Sequence, residues 1–438
     1  MSLIKIDTKR IVKKIKPMHG GGQPPLGGKG LIEHFHYMTE AGIPYSRLHD
    51  VGGAFGGGRF VDIPNIFRNF DADENDPASY DFTFTDHLIK ALIDVGVEPY
   101  YRLGITIENQ ADIKPYYTYP PKDYQKWARI CEHIIMHYTE GWADGFHYKI
   151  TYWEIWNEPE VQRKMMWCGT NEEYYELYDV AAKHLKARFP HLKIGGYASC
   201  GFYAIAPKVD ILPETNLPGT VPPTEHEENL MRFFYGFFDY IKEHNSPIDF
   251  FSWHTYTNVR RAKVMDAWLH RTLAELGYEG LETHLNEWNP FAKEFGTAHH
   301  SAEIAAMILA MQGGYADILC IYDMRITNAP YCPLFDIRTN KPIHGYYVLA
   351  AFNALYKLGS QVELTCDTED LYAVAATNGK KHALMIANAT GAKQELLIEG
   401  VDLSEARYHI IDQERLLSWS PAIHTLQEND VILIEWED

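Results

Sequence analysis

Two short stretches carry the residue types from which chemistry could be built. The first is Tyr152-Trp153-Glu154-Ile155-Trp156-Asn157-Glu158-Pro159-Glu160, and the second is Glu282-Thr283-His284-Leu285-Asn286-Glu287-Trp288-Asn289-Pro290. Each begins as a strand-like run and is closed by a proline, which cannot donate to a sheet ladder. Glu158 and Glu287 are thereby left at the carboxyl ends of strands, each preceded by an asparagine and flanked by an indole ring. A carboxyl group among large apolar neighbours is expected to be half-desolvated and to hold its proton more tightly than in water. General-acid catalysis asks that of Glu158. A lone glutamate at a strand end is usually a solvated loop charge, but two with the same flanks point to one site built from two parts of the chain. A pair of facing carboxylates is the apparatus of glycoside hydrolysis: one protonates the leaving oxygen while the other attacks the anomeric carbon or activates water.

To meet, the two carboxylates need strands that end on one rim. From Pro17 a strand–helix alternation sets in. Its strands are read at Tyr45–Asp50, Val97–Leu103, Lys149–Trp156, Leu192–Tyr197, Ile248–His254, Leu281–Asn286 and Ile318–Asp323, after a first strand that ends before Met18. Helices are read at Leu31–Glu40, Thr85–Val95, Asp123–Thr139, from the capping box at Thr170, and at Leu230–His244, Lys263–Leu276, Ser301–Gln312 and His344–Leu358. Eight such pairs are the count of a closed (β/α)8 TIM barrel, whose catalytic groups sit at the carboxyl ends of the strands. Those ends collect Arg47, His49, Arg102, Asn157, Glu158, His254, Tyr256, Glu287 and Tyr322 or Asp323. The barrel is expected over residues 17–358. Residues 359–438 switch to short alternating strands, with a hairpin turning at Asn378-Gly379, and are expected to form a small C-terminal antiparallel β-sandwich domain. Residues 1–16 alternate like strands of either part.

Composition limits the partners. The chain has 438 residues and a net charge of −19, with no basic patch, which argues against a nucleic-acid or anionic-membrane partner and for a neutral substrate. The 29 Tyr and 10 Trp can serve as platforms for sugar faces, although most will be ordinary core. Six scattered cysteines have no metal-site or redox spacing and are expected as free thiols. No apolar run is long enough for a bilayer and no leader pattern opens the chain, so a cytoplasmic location is expected, though a trimmed secreted chain would read the same. Self-association into a homo-oligomer is left open. Gly20–Gly22 and Gly52–Gly58 lack Walker or dinucleotide spacing and are read as active-site loops. His34/His36 and His299/His300 are not spaced as metal ligands, so neither a metal nor a cofactor is expected.

Ile155-Trp156-Asn157-Glu158-Pro159 resembles the acid/base motif of the barrel-fold clan of retaining glycosidases. Within that clan the chain most resembles glycoside hydrolase family 39, the β-xylosidase and α-L-iduronidase family, through Ser46-Arg47-Leu48-His49, Ser252-Trp253-His254-Thr255-Tyr256 and the β-domain after the barrel. The resemblance implies a retaining exo-glycosidase with Glu158 as acid/base and Glu287 as nucleophile. It further implies that Asn157 bonds the sugar hydroxyl beside the anomeric carbon, that Tyr256 holds the nucleophile, that Arg47 keeps Glu287 ionised, and that His49 and His254 contact the sugar. Trp288 is grouped with the substrate-binding residues. Strand eight departs from the clan, reading Cys320-Ile321-Tyr322-Asp323 where a Trp is usual. A β-xyloside or related short oligosaccharide is the expected substrate. Other sugars, endo action, and a carbohydrate-binding barrel without turnover are the competing readings.

Overall fold

Eight parallel strands close into a barrel in chain order: Gly20–Gly22, Tyr45–Leu48, Glu98–Leu103, Tyr152–Ile155, Lys193–Ser199, Phe250–Thr255, Glu282–Trp288 and Ile318–Tyr322, numbered one to eight below. They are seen in a computed structural model that describes residues 1–27, 32–49, 61–106, 118–161, 166–212, 217–290, 294–329 and 331–438. Helices His36–Ala41, Thr83–Asp94, Tyr124–Thr139, Asn171–Arg188, Glu225–Glu243, Val259–Leu276, Ala298–Gly313 and His344–Leu358 follow the strands in turn. This is the (β/α)8 barrel expected from the alternation. Among the described residues, no helix is long and apolar enough to cross a membrane.

Local chemistry explains where the element bounds differ from the sequence reading. The fifth helix begins at Glu225, not Leu230, because Thr224 and Glu227 form a reciprocal capping box that satisfies the first-turn N–H groups. The first helix begins only at His36, because Ile32–Glu33 pairs with Leu26–Gly27 as a two-stranded ladder. Gly42 ends it in the left-handed conformation, with φ 62°.

Gly20–Gly22 is barrel strand one and not an active-site loop. It pairs with Cys320–Tyr322 on one side and Ser46–Arg47 on the other. Side chains are excluded there by close approach: a Cβ on Gly20 would stand 2.6 Å from the Leu319 carbonyl oxygen. The run Gly52–Gly58 lies outside the described residues.

The N-terminal strand, which alternates like a strand of either part, belongs to the C-terminal sheet. Ser2–Lys14 lies antiparallel to Ser360–Cys366 and parallel to Gln394–Glu399 within a nine-stranded sheet. The expected hairpin is there, Leu371–Thr377 against Lys381–Asn388, and Val431–Glu437 joins it. Period-two alternation divides the sheet between two cores. Ala376, Ala383, Met385 and Leu433 join the barrel's core under helices Ala298–Gly313 and His344–Leu358, whereas Leu384, Ile386, Ile432 and Ile434 build a second core on the opposite face. The sheet is therefore seated on the last two helices of the barrel, directly behind strands seven and eight.

Candidate active site

Strand four stops at Ile155, before Pro159 could end it, because Trp156 turns into the left-handed region at φ 74° and Glu158 does so again at φ 45°. Such residues cost on the order of 1–3 kcal/mol each and persist only where the surroundings hold them. Here the Trp156 backbone N–H donates to the Leu103 carbonyl at 2.8 Å and its indole Nε1 to the Met166 carbonyl at 2.8 Å. The Glu158 N–H donates to the Ala198 carbonyl at 3.1 Å. The result is a turn that lifts Glu158 over the rim, its side chain 17% exposed.

Glu287, near the end of strand seven, is buried and held at both oxygens. Arg47 Nη1 donates to its Oε1 at 2.7 Å, and the Tyr256 hydroxyl donates to its Oε2 at 2.7 Å. Arg47 is wholly buried. Its Nε donates to Glu154 Oε2 at 2.8 Å and its Nη2 to Asn157 Oδ1 at 2.6 Å. Burial opposes its charge, but the carboxylates of Glu154 and Glu287 outweigh that cost and push its pKa up. Burial pushes the Tyr256 pKa well up, and the Glu287 charge adds to it, so the phenol remains a donor. His254 Nδ1 stands 2.6 Å from Glu158 Oε1 and 3.6 Å from Glu287 Oε2. One oxygen of Glu158, one of Glu287 and a ring nitrogen of His254 all lie within 4.8 Å of one another.

The carboxylates open into a cavity of about 310 Å³. Asn157, His49 and Tyr256 line it, and so do Tyr322, Arg325 and Tyr331 from the end of strand eight and the loop beyond. Burial, with the Arg102 and Arg47 charges behind it, holds His49 well below the usual imidazole range, so it is neutral at pH 7. Thus Arg47, Asn157, Glu158, His254, Tyr256, Glu287 and His49 converge on one place.

Trp288 does not. A register shift between Leu285 and Trp288 leaves both Asn286 and Glu287 turned inward, and Trp288 beyond them is fully buried in the apolar core and lines no part of the cavity. Arg102 is bound to Asp62, at 2.6 Å, rather than to the cavity wall. His34 and His36 have ring centres 6.1 Å apart. His300 is buried against Asn289, while His299 pairs with Glu294. Among the described residues, only Glu158, His254 and Glu287 gather three atoms that could ligate a metal, and Arg47 already places a positive charge 2.7 Å from that group.

Several residues of the site escaped the sequence reading. Glu154 is fully buried beneath the site and accepts from both Arg47 and Asn286, the latter at 2.6 Å. Its signal was present: alternation along strand four puts it on the inward face between Trp153 and Ile155. At strand eight the missed residue is Arg325, which buried Asp323, already collected at the strand end, fixes through Nη2 at 2.7 Å and Nε at 3.1 Å. The Asp-x-Arg spacing alone gave no warning of this. Glu160 is also buried, accepting from the Cys200 backbone N–H at 2.6 Å. Burial, with Glu158 nearby, pushes its carboxyl up to about 8.

The sequence pattern of glycosyl hydrolases family 39 matches residues 34–278, a stretch that contains Glu158 and ends before Glu287. A β-xylosidase of Geobacillus stearothermophilus is 25% identical over 321 residues, which cover 66% of this chain and 56% of that protein. This chain thus spans little more than half the length of that relative. A glucosidase from Croceicoccus marinus superposes with a TM-score of 0.77 at 17% identity, covering 99% of this chain and 98% of the other. A family 39 β-xylosidase from Caulobacter crescentus gives 0.70 at 18% identity over the full length of both chains. These structures share the fold. With more than half of its residues matched by the family pattern, the chain belongs to glycosyl hydrolases family 39.

Proposed function

We propose that the protein is a retaining exo-glycosidase acting on a neutral glycoside, with a β-xyloside as the first substrate to try. The observation that carries this reading is the spacing of the two carboxylates. One oxygen of Glu158 and one of Glu287 lie within 4.8 Å, an approach that suits the roughly 5–5.5 Å carboxyl separation of retaining enzymes better than the roughly 6.5–9.5 Å of inverting ones.

In this reading Glu287 attacks the anomeric carbon while Glu158 gives its proton to the glycosidic oxygen, which leaves with the aglycone as an alcohol. A glycosyl ester on Glu287 results. Glu158, now a carboxylate, takes a proton from water as that water attacks the ester, and the anomeric configuration is retained. Arg47 and Tyr256 hold Glu287 at its two oxygens, so the nucleophile enters the reaction already oriented. His254 lies against both carboxylates and positions them; it acts on the sugar through them. Asn157 and neutral His49, both on the cavity wall, contact sugar hydroxyls.

Exo action is supported by a cavity at the small end of ligand pockets, roughly 300 Å³, enough for one terminal sugar. Xylose is favoured by the β-xylosidase relative, whereas the glucosidase neighbour supports glucose as the second sugar to test. In a cytoplasmic setting the substrate is a short oligosaccharide. The test is release of nitrophenol from a panel of aryl α- and β-glycosides, with Glu287→Ala as control and the anomer of the first product read by NMR. Hydrolysis of one sugar with retention, lost in the variant, is expected. Inversion, or turnover that survives Glu287→Ala, would overturn the assignment.

A further inference from the structure

The catalytic cavity is not the largest hollow on this rim. A second one, of about 900 Å³, lies beyond Tyr256, which lines both. Among the described residues its wall carries Lys208, Arg260 and Arg261 against one acid, Glu294, which pairs with His299. In a chain of net charge −19 an acidic ligand meets net repulsion, and a wall of this sign would draw it in.

The three cations are not equivalent. Arg260 reaches across to Asp370 of the C-terminal sheet and is neutralised there. Arg261 has no carboxylate partner among the described residues. Its Nε donates to the Ala206 carbonyl at 2.5 Å, its Nη1 to Thr257 Oγ1 at 3.2 Å, and its guanidinium lies 5.6 Å from the centre of the Tyr203 ring. The group is thus fixed by neutral acceptors, half-buried, and still charged, so an anion beside it gains more than it would in water. Lys208 stands exposed on the same wall.

The hollow is also tied to the chemistry. The Tyr203 hydroxyl under Arg261 accepts from the Tyr256 backbone N–H at 2.9 Å, and the Tyr256 hydroxyl in turn donates to Glu287. With room for one sugar at the carboxylates, the remainder of a substrate must lie outside that cavity, and this hollow shares a wall with it.

We propose that the hollow receives the leaving-group part of the substrate and selects leaving groups bearing an anion, a carboxylate or a phosphate, through Arg261 assisted by Lys208. The proposal rests on the glycosidase reading. It is tested with aryl glycosides of one sugar whose phenols carry 4-nitro, 4-carboxylate or 4-phosphonate groups, hydrolysed by wild type, Arg261→Gln and Lys208→Gln. The quantity read is kcat/KM for each acidic substrate divided by that for the nitrophenyl one. Comparing this ratio between wild type and variant cancels the intrinsic reactivity of the phenols. The ratio is expected to fall about tenfold in Arg261→Gln and about threefold in Lys208→Gln, and to fall in wild type as salt is raised. A fall for only one of the two acids identifies which anion is recognised. Active wild type with ratios unchanged in both variants overturns the subsite and leaves the glycosidase reading intact, whereas wild type silent on all three compounds overturns that reading and the subsite with it. Lys208 is exposed, so its variant keeps the test decisive if Arg261→Gln fails to fold.

Discussion

Replacing Tyr256 by Phe removes one oxygen atom from the site and little else. That hydroxyl donates to Glu287 Oε2 at 2.7 Å, while Oε1 is held independently by Arg47 at 2.7 Å. With the hydroxyl gone, Oε2 keeps, among the described residues, His254 Nδ1 at 3.6 Å, too far for a hydrogen bond. A hydrogen bond to a charged acceptor contributes roughly 1.5–3 kcal/mol, which corresponds to a loss of about 10- to 150-fold in rate if the bond is spent on orienting Glu287. The ring itself is retained, so the walls of both hollows keep their shape. The expected outcome is therefore a drop in kcat of that size with KM changed by less than about threefold, measured by steady-state kinetics on an activated aryl glycoside. The thermal midpoint should move little, because no buried cation or carboxylate loses its ion-pair partner. An unchanged kcat, or a loss confined to KM, would refute a role for Tyr256 in holding Glu287.

Other perturbations separate the remaining roles. Glu158→Ala should impair substrates with poor leaving groups far more than activated aryl glycosides, as judged by the slope of log kcat/KM against phenol pKa; an unchanged slope contradicts its acid role. Glu160 binds its proton more tightly when folded, with a pKa of about 8, than when unfolded, so its contribution is fully present at low pH and is lost as pH rises from the ordinary carboxyl range through about 8. That gap corresponds to at most about 5 kcal/mol, and Glu160→Gln should flatten the fall in thermal midpoint across that window. A parallel fall in wild type and variant would mean that other groups govern it. Gly20→Ala should destabilise the barrel by about 1–3 kcal/mol in urea unfolding, since the new Cβ meets backbone 2.6 Å away that has no room to retreat.

How far the sequence could be read depended on whether a residue's role was local. Glu158 and Glu287 were legible because each sits in a strand-then-proline pattern, and the strand count fixed the barrel that brings their ends together. Helix starts were legible where the capping residues were recognised, as at Thr170, and missed where they were not, as at Thr224. Gly20–Gly22 looked like a loop because the pressure for glycine comes from Leu319 and Met324, some 300 residues away in sequence. The same holds for Ser2–Lys14, which has an ordinary strand pattern whose partners, Ser360–Cys366 and Gln394–Glu399, lie at the other end of the chain. Trp288 adjoins Glu287 in sequence, yet its indole is buried in the apolar core and not on the cavity wall, a placement that the neighbouring residues do not encode. Tyr322 was legible as a strand end, whereas the rest of that wall, Arg325 and Tyr331, depends on a loop conformation that no periodicity encodes.

In the proposed mechanism Glu287 forms a covalent bond to the sugar. Incubating the protein with a 2-deoxy-2-fluoro glycoside bearing a good leaving group, digesting it, and locating the added mass by tandem mass spectrometry would reveal that bond. A single fluoroglycosyl label on the peptide containing Glu287, in step with loss of activity, is expected, and none in Glu287→Ala. A label on Glu158, or inactivation of a demonstrably active enzyme without any covalent label, would contradict it.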